Sequence, residues 1–244
     1  NLGDSNRTQS AEAFYLANKA AMDEGAELLW PEWESLYDLM RLRAAIGPSA
    51  FDSEKQDKPG TDGASEWPAE YFEGPDFWFD QWPDSLVANV LALDPSKGAS
   101  EGSDFQAHAL AGVDASGKIY IECTLAREDV SAMVRRSLDL YRAFSPSELI
   151  AEDNGTMGLL LPEYERQMQD RQQIVNLNCM SNTDNKEVRI RGVGGYLARG
   201  QIRVRNTAGG RELVNQWRDF PSGDFDDAPD AVSVAVRRLE GLLV

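Results

Sequence analysis

A mostly apolar run over residues 86–93, broken only by Asn89, stops abruptly at Asp94-Pro95, and no other feature constrains the fold of this chain as tightly. A run of that length closed by a turn signal suits a buried strand. Residues 105–113 and 118–124 then alternate around Asp114-Ala115-Ser116-Gly117, which is a hairpin signal. Val130, Met133, Val134, Leu138 and Tyr141 recur at helical spacing and predict an amphipathic helix over 128–144. Leu149-Ile150-Ala151 reads as a short strand ending at Glu152-Asp153. Helix is expected over 157–172, a further strand over 174–177, and extended pieces over 188–205 around Gly192 to Gly195. Asp226-Asp227 opens a last helix with Ala231, Val232, Val234, Ala235, Leu239 and Leu242 as its apolar positions. This order predicts an α/β fold, a mixed sheet flanked by helices.

Upstream the pattern differs. Residues 11–29 look helical, and 34–45 give a second helical run that Ser35 and Asp38 open as a loose capping box before Gly47-Pro48 ends it. Over 52–83 Asp, Gly, Ser and Pro are mixed with aromatic residues in no clean period. A disordered tail would be poor in aromatics, so this stretch reads as an irregular connector that packs onto a neighbour. Trp30, Trp33, Trp67, Trp78 and Trp82 are its expected packing anchors. The boundary is placed near residue 85, with residues 1–85 as a helical and irregular connector and 86–244 as the main domain.

The net charge of −17 opposes nucleic-acid binding if taken whole, but it is unevenly spread. Residues 1–85 hold 18 acids and 6 bases, which leaves a net of only −5 for the rest. Within 186–211 the balance inverts, with Lys186, Arg189, Arg191, Arg199, Arg203, Arg205 and Arg211 against the single acid Glu187. Cys123 and Cys179 are too few for a disulfide framework or a zinc site and are expected to be reduced, in keeping with a cytoplasmic location. No apolar run approaches the length of a membrane span. The chain opens Asn1-Leu2-Gly3 without a basic or apolar leader, and is expected to be a fragment of something longer.

Chemistry is expected where acids fall at the ends of core elements: Asp94 after the first strand, Glu152 after a central one, and Asp226-Asp227 at the start of the final helix. Carboxylates converging from separate elements are what a pair of divalent ions needs to activate water and hold a leaving oxygen. Oxygen ligands with no His or Cys cluster favour Mg²⁺ or Mn²⁺ over zinc. Asp153 is the alternative to Glu152 if the strand end shifts by one residue, because adjacent strand side chains face opposite ways. His108, in an alternating strand, reads as a packing residue.

These residues resemble the nuclease domain of the large terminase subunit of tailed bacteriophages. The resemblance runs through Ala92-Leu-Asp-Pro-Ser-Lys97 with Gly102-Ser-Asp104, Ile150-Ala-Glu-Asp-Asn-Gly155, Arg189-Ile190 with Gly200-Gln-Ile202, and Phe220-Pro-Ser-Gly-Asp-Phe-Asp-Asp-Ala-Pro-Asp-Ala231. Upstream, Gly25-Ala-Glu-Leu-Leu-Trp-Pro31 and Ile46-Gly-Pro-Ser-Ala-Phe51 look like that family's segment between motor and nuclease. The resemblance implies a ribonuclease H-like fold and a metal-dependent endonuclease that cuts concatemeric viral DNA by two-metal phosphodiester hydrolysis; the alternatives are another ribonuclease H-like nuclease, such as a junction resolvase or transposase core, and a noncatalytic docking module of a packaging motor. Asp94 is implied as the bridging ligand, Glu152 as the second acid, Asp226 or Asp227 as the third with Asp226 favoured, and Asp104 as a supplementary ligand. Phe225 stands where many relatives carry His.

The family's ATPase is missing, since no G-x-x-x-x-G-K-[ST] occurs, so cleavage without ATP and without a bound nucleotide is expected. Arg189, Arg191, Arg199, Arg203 and Arg205 are expected to track the backbone of double-stranded DNA beside the metal site. In the full-length protein the implied partners are a portal, a small terminase subunit and an ATPase domain. The chain alone is expected to be monomeric, in the cytoplasm of an infected bacterium.

Overall fold

Helices α1 (Leu2–Met22) and α2 (Leu36–Ile46) precede a 3-10 turn (Ala69–Phe72) and strand β1 (Trp78–Phe79). The sequence then runs through β2 (Ala88–Asp94), β3 (Gln106–Val113), β4 (Ile119–Ala126), α3 (Val130–Phe144), β5 (Leu149–Glu152), α4 (Met157–Arg171) and β6 (Leu177–Met180). It ends with α5 (Lys186–Gly192), α6 (Gly194–Ala198), β7 (Ile202–Arg205), α7 (Ala208–Asp219) and α8 (Asp227–Leu242). This computed structural model describes residues 2–31, 33–46, 51, 55, 65–95, 105–152, 157–180 and 185–243. Among them seven strands form one sheet in the order β1-β7-β4-β3-β2-β5-β6. The pairs β2/β3 and β3/β4 are antiparallel, and the other four are parallel. The mixed sheet flanked by helices is the architecture expected from the sequence.

The hairpin is closed by Asp114, whose Oδ1 accepts from the N–H groups of Ser116 (2.8 Å) and Lys118 (3.0 Å), with Gly117 at φ +81°. Both faces of β2 and β3 are covered, which explains their near-continuous burial. On one face Leu91, Leu93 and Leu110 pack with Met133, Val134 and Leu138 of α3 and Leu160 and Tyr164 of α4. On the other, Ala92, Ala107, Ala109 and Ala111 meet Ala228, Ala231 and Ala235 of α8. Small residues on both partners let this helix lie close to the sheet. The first turn of α7 presses still harder on β4, since a Cβ on Gly209 would lie 2.0 Å from the Cys123 carbonyl oxygen. Only glycine fits there.

Several local expectations are corrected. The first helix occupies Leu2–Met22 rather than 11–29, and β6 is Leu177–Met180 rather than 174–177. Of the extended pieces expected over 188–205, Ile202–Arg205 is strand β7, whereas Lys186–Gly192 and Gly194–Ala198 are helical. Val188 and Ile190 alternate with charged residues and so mimic a strand. Asn185, however, accepts from the Glu187 N–H at 2.8 Å as an N-cap, and Glu187 pairs with Arg191 one turn on. Helix α7 was not foreseen. Trp67 does anchor the connector, stacking on Phe220 at 5.4 Å, and Phe72 stacks on Trp217. Trp78 and Trp82 pack against the two cores. Trp30 and Trp33 do not anchor it: they are 64% and 87% exposed in the turn between α1 and α2. The change in composition at residue 85 is not an edge of the sheet, because β1 pairs with β7 from upstream of it. His108 is buried, and no helix among the described residues is long and apolar enough to cross a membrane.

Candidate metal centre

Strand parity sets the site. Asp94 closes β2 on the face that Val90 and Ala92 turn toward α8, and Glu152 closes β5 on the same face as Ile150. The two strands are parallel neighbours with Leu93 opposite Ala151, so both carboxylates leave the sheet side by side at one end. Helix α8 crosses that face and adds Asp230 from its first turn. One oxygen from each of Asp94, Glu152 and Asp230 lies within 4.8 Å of the others. All three side chains are buried, Glu152 and Asp230 to 2% exposure.

Two cations from α5 hold this cluster. Lys186 Nζ donates to Asp226 Oδ1 at 2.8 Å and lies 3.6 Å from Asp230 and 3.8 Å from Asp94. Arg189 Nη2 donates to Glu152 Oε1 at 3.0 Å and to both oxygens of Asp230 at 2.8 Å. Burial pushes the Asp94 carboxyl well above the usual carboxylate range, and Asp230, Asp227 and Glu152 act the same way against Lys186. Burial alone would depress the Lys186 ammonium. Asp94, Asp226 and Asp230 outweigh it and hold the group above the ordinary lysine value. Glu152 Oε2 is buried and has no hydrogen-bond partner among the described residues. An unpaired carboxylate oxygen so deeply buried is costly unless something positive meets it.

The donor set suits a hard divalent cation. Two oxygens bound to one Mg²⁺ at about 2.1 Å are at most about 4.2 Å apart, so the three acids need only small side-chain adjustments to share an ion. All the donors are oxygen, which favours Mg²⁺ or Mn²⁺.

The sequence-derived acids divide in the structure. Asp94 and Glu152 belong to the three-acid group. Asp226, the favoured third acid, does not: it precedes the first turn of α8 and turns outward to Lys186. Asp227 is buried, and its Oδ2 accepts from the Phe105 N–H at 3.3 Å. Asp230 went unrecognised, although its spacing of four from Asp226 and three from Asp227 puts it on their side of a helix. Asp104 and Asp153 lie outside the described residues.

The basic stretch is divided in the same way. Arg189 points into the acids, while Arg191 bonds to Glu66 and Glu187. Arg199 lies over the Tyr196 ring and donates to Gln201. Arg203 and Arg205 alternate with buried Ile202 and Val204 and therefore face away from α8; Arg203 donates to the Gly200 carbonyl, and Arg205 to Glu122. Of the five arginines, Arg189 is the one that joins the acid cluster.

No family model matches the chain, and no curated protein matches it. Among solved structures it is similar to the large terminase of HK97 bacteriophage, with a TM-score of 0.47 and 11% identity over 64% of this chain and 40% of that one. The nuclease domain of the large terminase subunit of bacterial virus Sf6 gives a TM-score of 0.38 at 8% identity, over 55% of this chain and 72% of that one. RuvC of Thermus thermophilus gives 0.34 at 12% identity, over 61% and 90%.

Proposed function

We propose that this chain is the nuclease part of a viral genome-packaging terminase, a divalent-metal-dependent endonuclease acting on double-stranded DNA. The observation that carries the reading is the convergence of Asp94, Glu152 and Asp230 from three separate elements, with Glu152 Oε2 buried and without a hydrogen-bond partner among the described residues. Asp94, Glu152 and Asp230 would hold the ions, with Asp226 and Asp227 at the rim. Two such ions, when bound, supply an activated water for in-line attack on phosphorus and stabilise the leaving oxygen. Lys186 and Arg189 balance the carboxylates and keep them converged, and burial of the three acids excludes bulk water from around them. In the full-length protein an ATPase motor, portal and small subunit would present the DNA.

The test is plasmid cleavage by the purified chain in Mg²⁺, Mn²⁺ or EDTA, without ATP and at low salt, beside Asp94→Asn. Metal-dependent nicking or linearisation that Asp94→Asn loses supports the reading. A folded wild type that neither cuts DNA nor binds Mn²⁺ by calorimetry removes it, and a preference for four-way junctions over linear duplex would make the chain a resolvase instead.

A further inference from the structure

An arginine outside the basic stretch sits at the same end and face of the sheet as the carboxylates. Arg127 follows β4 directly, and Phe105 precedes β3 directly, so the register Gln106 opposite Ala126 brings the two residues together beyond the last pair. The Arg127 guanidinium lies 3.8 Å from the centroid of the Phe105 ring and 5.3 Å from that of Phe225. The two rings stand edge to face at 5.0 Å. Through its N–H, Phe105 is tied to Asp227 in the first turn of α8, the turn that carries Asp230.

The arrangement has three consequences. Packing against two rings restrains a guanidinium, so a contact to a phosphate costs less side-chain freedom than it would from a loose arginine. The cation covers the face of the Phe105 ring, so this cluster favours phosphate rather than a stacked base. Position matters as well. Two strand spacings separate β4 from β2, about 10 Å, which matches about three base-pair steps of rise along a duplex axis. Arg189 bonds Glu152 at the end of β5, on the other side of β2 from β4, so the carboxylates lie between Arg127 and Arg189. In a chain of net charge −17, which repels DNA as a whole, such placed cations must supply the attraction.

We infer that Arg127, held by Phe105 and Phe225, is a binding residue for a backbone phosphate of the nucleic-acid strand, on the β4 flank of the acid cluster. This rests on the nuclease reading above. The experiment measures binding of a fluorescein-labelled 24-base-pair duplex by anisotropy in Ca²⁺ across a KCl series, for the wild type, Arg127→Ala, Arg127→Lys and Arg142→Ala. Arg142 is an exposed residue in the last turn of α3, at the other end of the sheet, and controls for the loss of one charge.

Arg127→Ala should weaken binding several-fold for duplexes of unrelated sequence, and lower the slope of log affinity against log salt by about 1. Arg127→Lys keeps the charge but not the planar guanidinium and should fall between, which keeps the test open if the alanine variant folds poorly. Arg142→Ala and the wild type should coincide, and calorimetric Mn²⁺ binding should be unchanged in Arg127→Ala. A wild-type slope and affinity in Arg127→Ala, or an equal loss in Arg142→Ala, overturns the inference and leaves the nuclease reading standing. A wild type that binds no duplex at any salt overturns both.

Discussion

The two faces of the central strands bury polar groups in opposite ways. Under α3 and α4, His108 Nε2 and Ser137 Oγ lie 2.8 Å apart, and Ser137 donates to the Met133 carbonyl at 3.0 Å. Burial, helped by Arg136, lowers the His108 pKa to about 4, so the imidazole is neutral at pH 7. Under α8 four acids, Asp94, Glu152, Asp227 and Asp230, are buried together beside Gln216 and Ser233, and Lys186 and Arg189 pair with Asp94, Glu152 and Asp230. A neutral pair costs a core little, whereas clustered carboxylates are costly even when paired. One face is therefore built for packing, and the other keeps a charge arrangement that packing alone would not select. Side-chain size agrees with this: leucines fill the first face, and alanines on the second let α8 come close enough to deliver Asp230.

That contrast can be broken experimentally. The largest effect is expected from Asp94→Asn, which should reduce metal-dependent plasmid cleavage to background while leaving the thermal midpoint unchanged or raised, because it removes one of several crowded carboxylates. Collapse of the fold in this variant would show the cluster to be structural and erase the difference between the faces. On the packing face, Leu138→Ala should cost about 2–5 kcal/mol in urea unfolding at pH 7, with cleavage retained below its lowered midpoint. A cost well under 1 kcal/mol would mean that this face is not the tightly packed one.

The pH dependence sharpens the same point. His108 takes up its proton at about pH 4 in the folded chain and at about 6.5 when unfolded, so between those values the unfolded state binds more protons. Its contribution is complete above pH 6.5 and is lost as pH falls, by about 2 kcal/mol at pH 5. In urea unfolding, the free energy of the wild type should fall by about 2 kcal/mol more than that of His108→Asn between pH 7 and pH 5. A parallel pair of curves would count against a neutral buried imidazole.

The smallest effect is expected from Lys186→Gln, since the Lys186 side chain is 36% exposed and its charge so partly screened. It should lower stability in EDTA by about 1 kcal/mol, and Mg²⁺ should restore it. No difference in EDTA would mean that Arg189 alone balances the acids.

The acids at strand ends were legible because β2 and β5 are short apolar runs with sharp edges, and a carboxylate at such an edge stands out. Asp230 was hidden inside a helix, where its relation to Asp226 and Asp227 depends on the helical turn and on which side of α8 meets the sheet. Lys186 and Arg189 were visible as charge but not as partners of the acids, since their alternation with Val188 and Ile190 mimics a strand. Arg127 carries no sequence signal at all. Its meaning comes from Phe105 and Phe225, which are 120 positions apart in the chain and 5.0 Å apart in space.

By itself, the sequence determined the class of fold, the hairpin, the amphipathic helix α3 and the strand ends that carry Asp94 and Glu152. All of these follow from local periodicity and turn chemistry, which act over a few neighbouring residues. Tertiary structure alone decided which third acid meets those two, which arginine enters the cluster and which face of the sheet receives the rest. Those choices depend on the approach of α5 and α8 to the sheet. That approach is set by small residues on α8 and the strands beneath it, far apart in sequence and complementary only once packed.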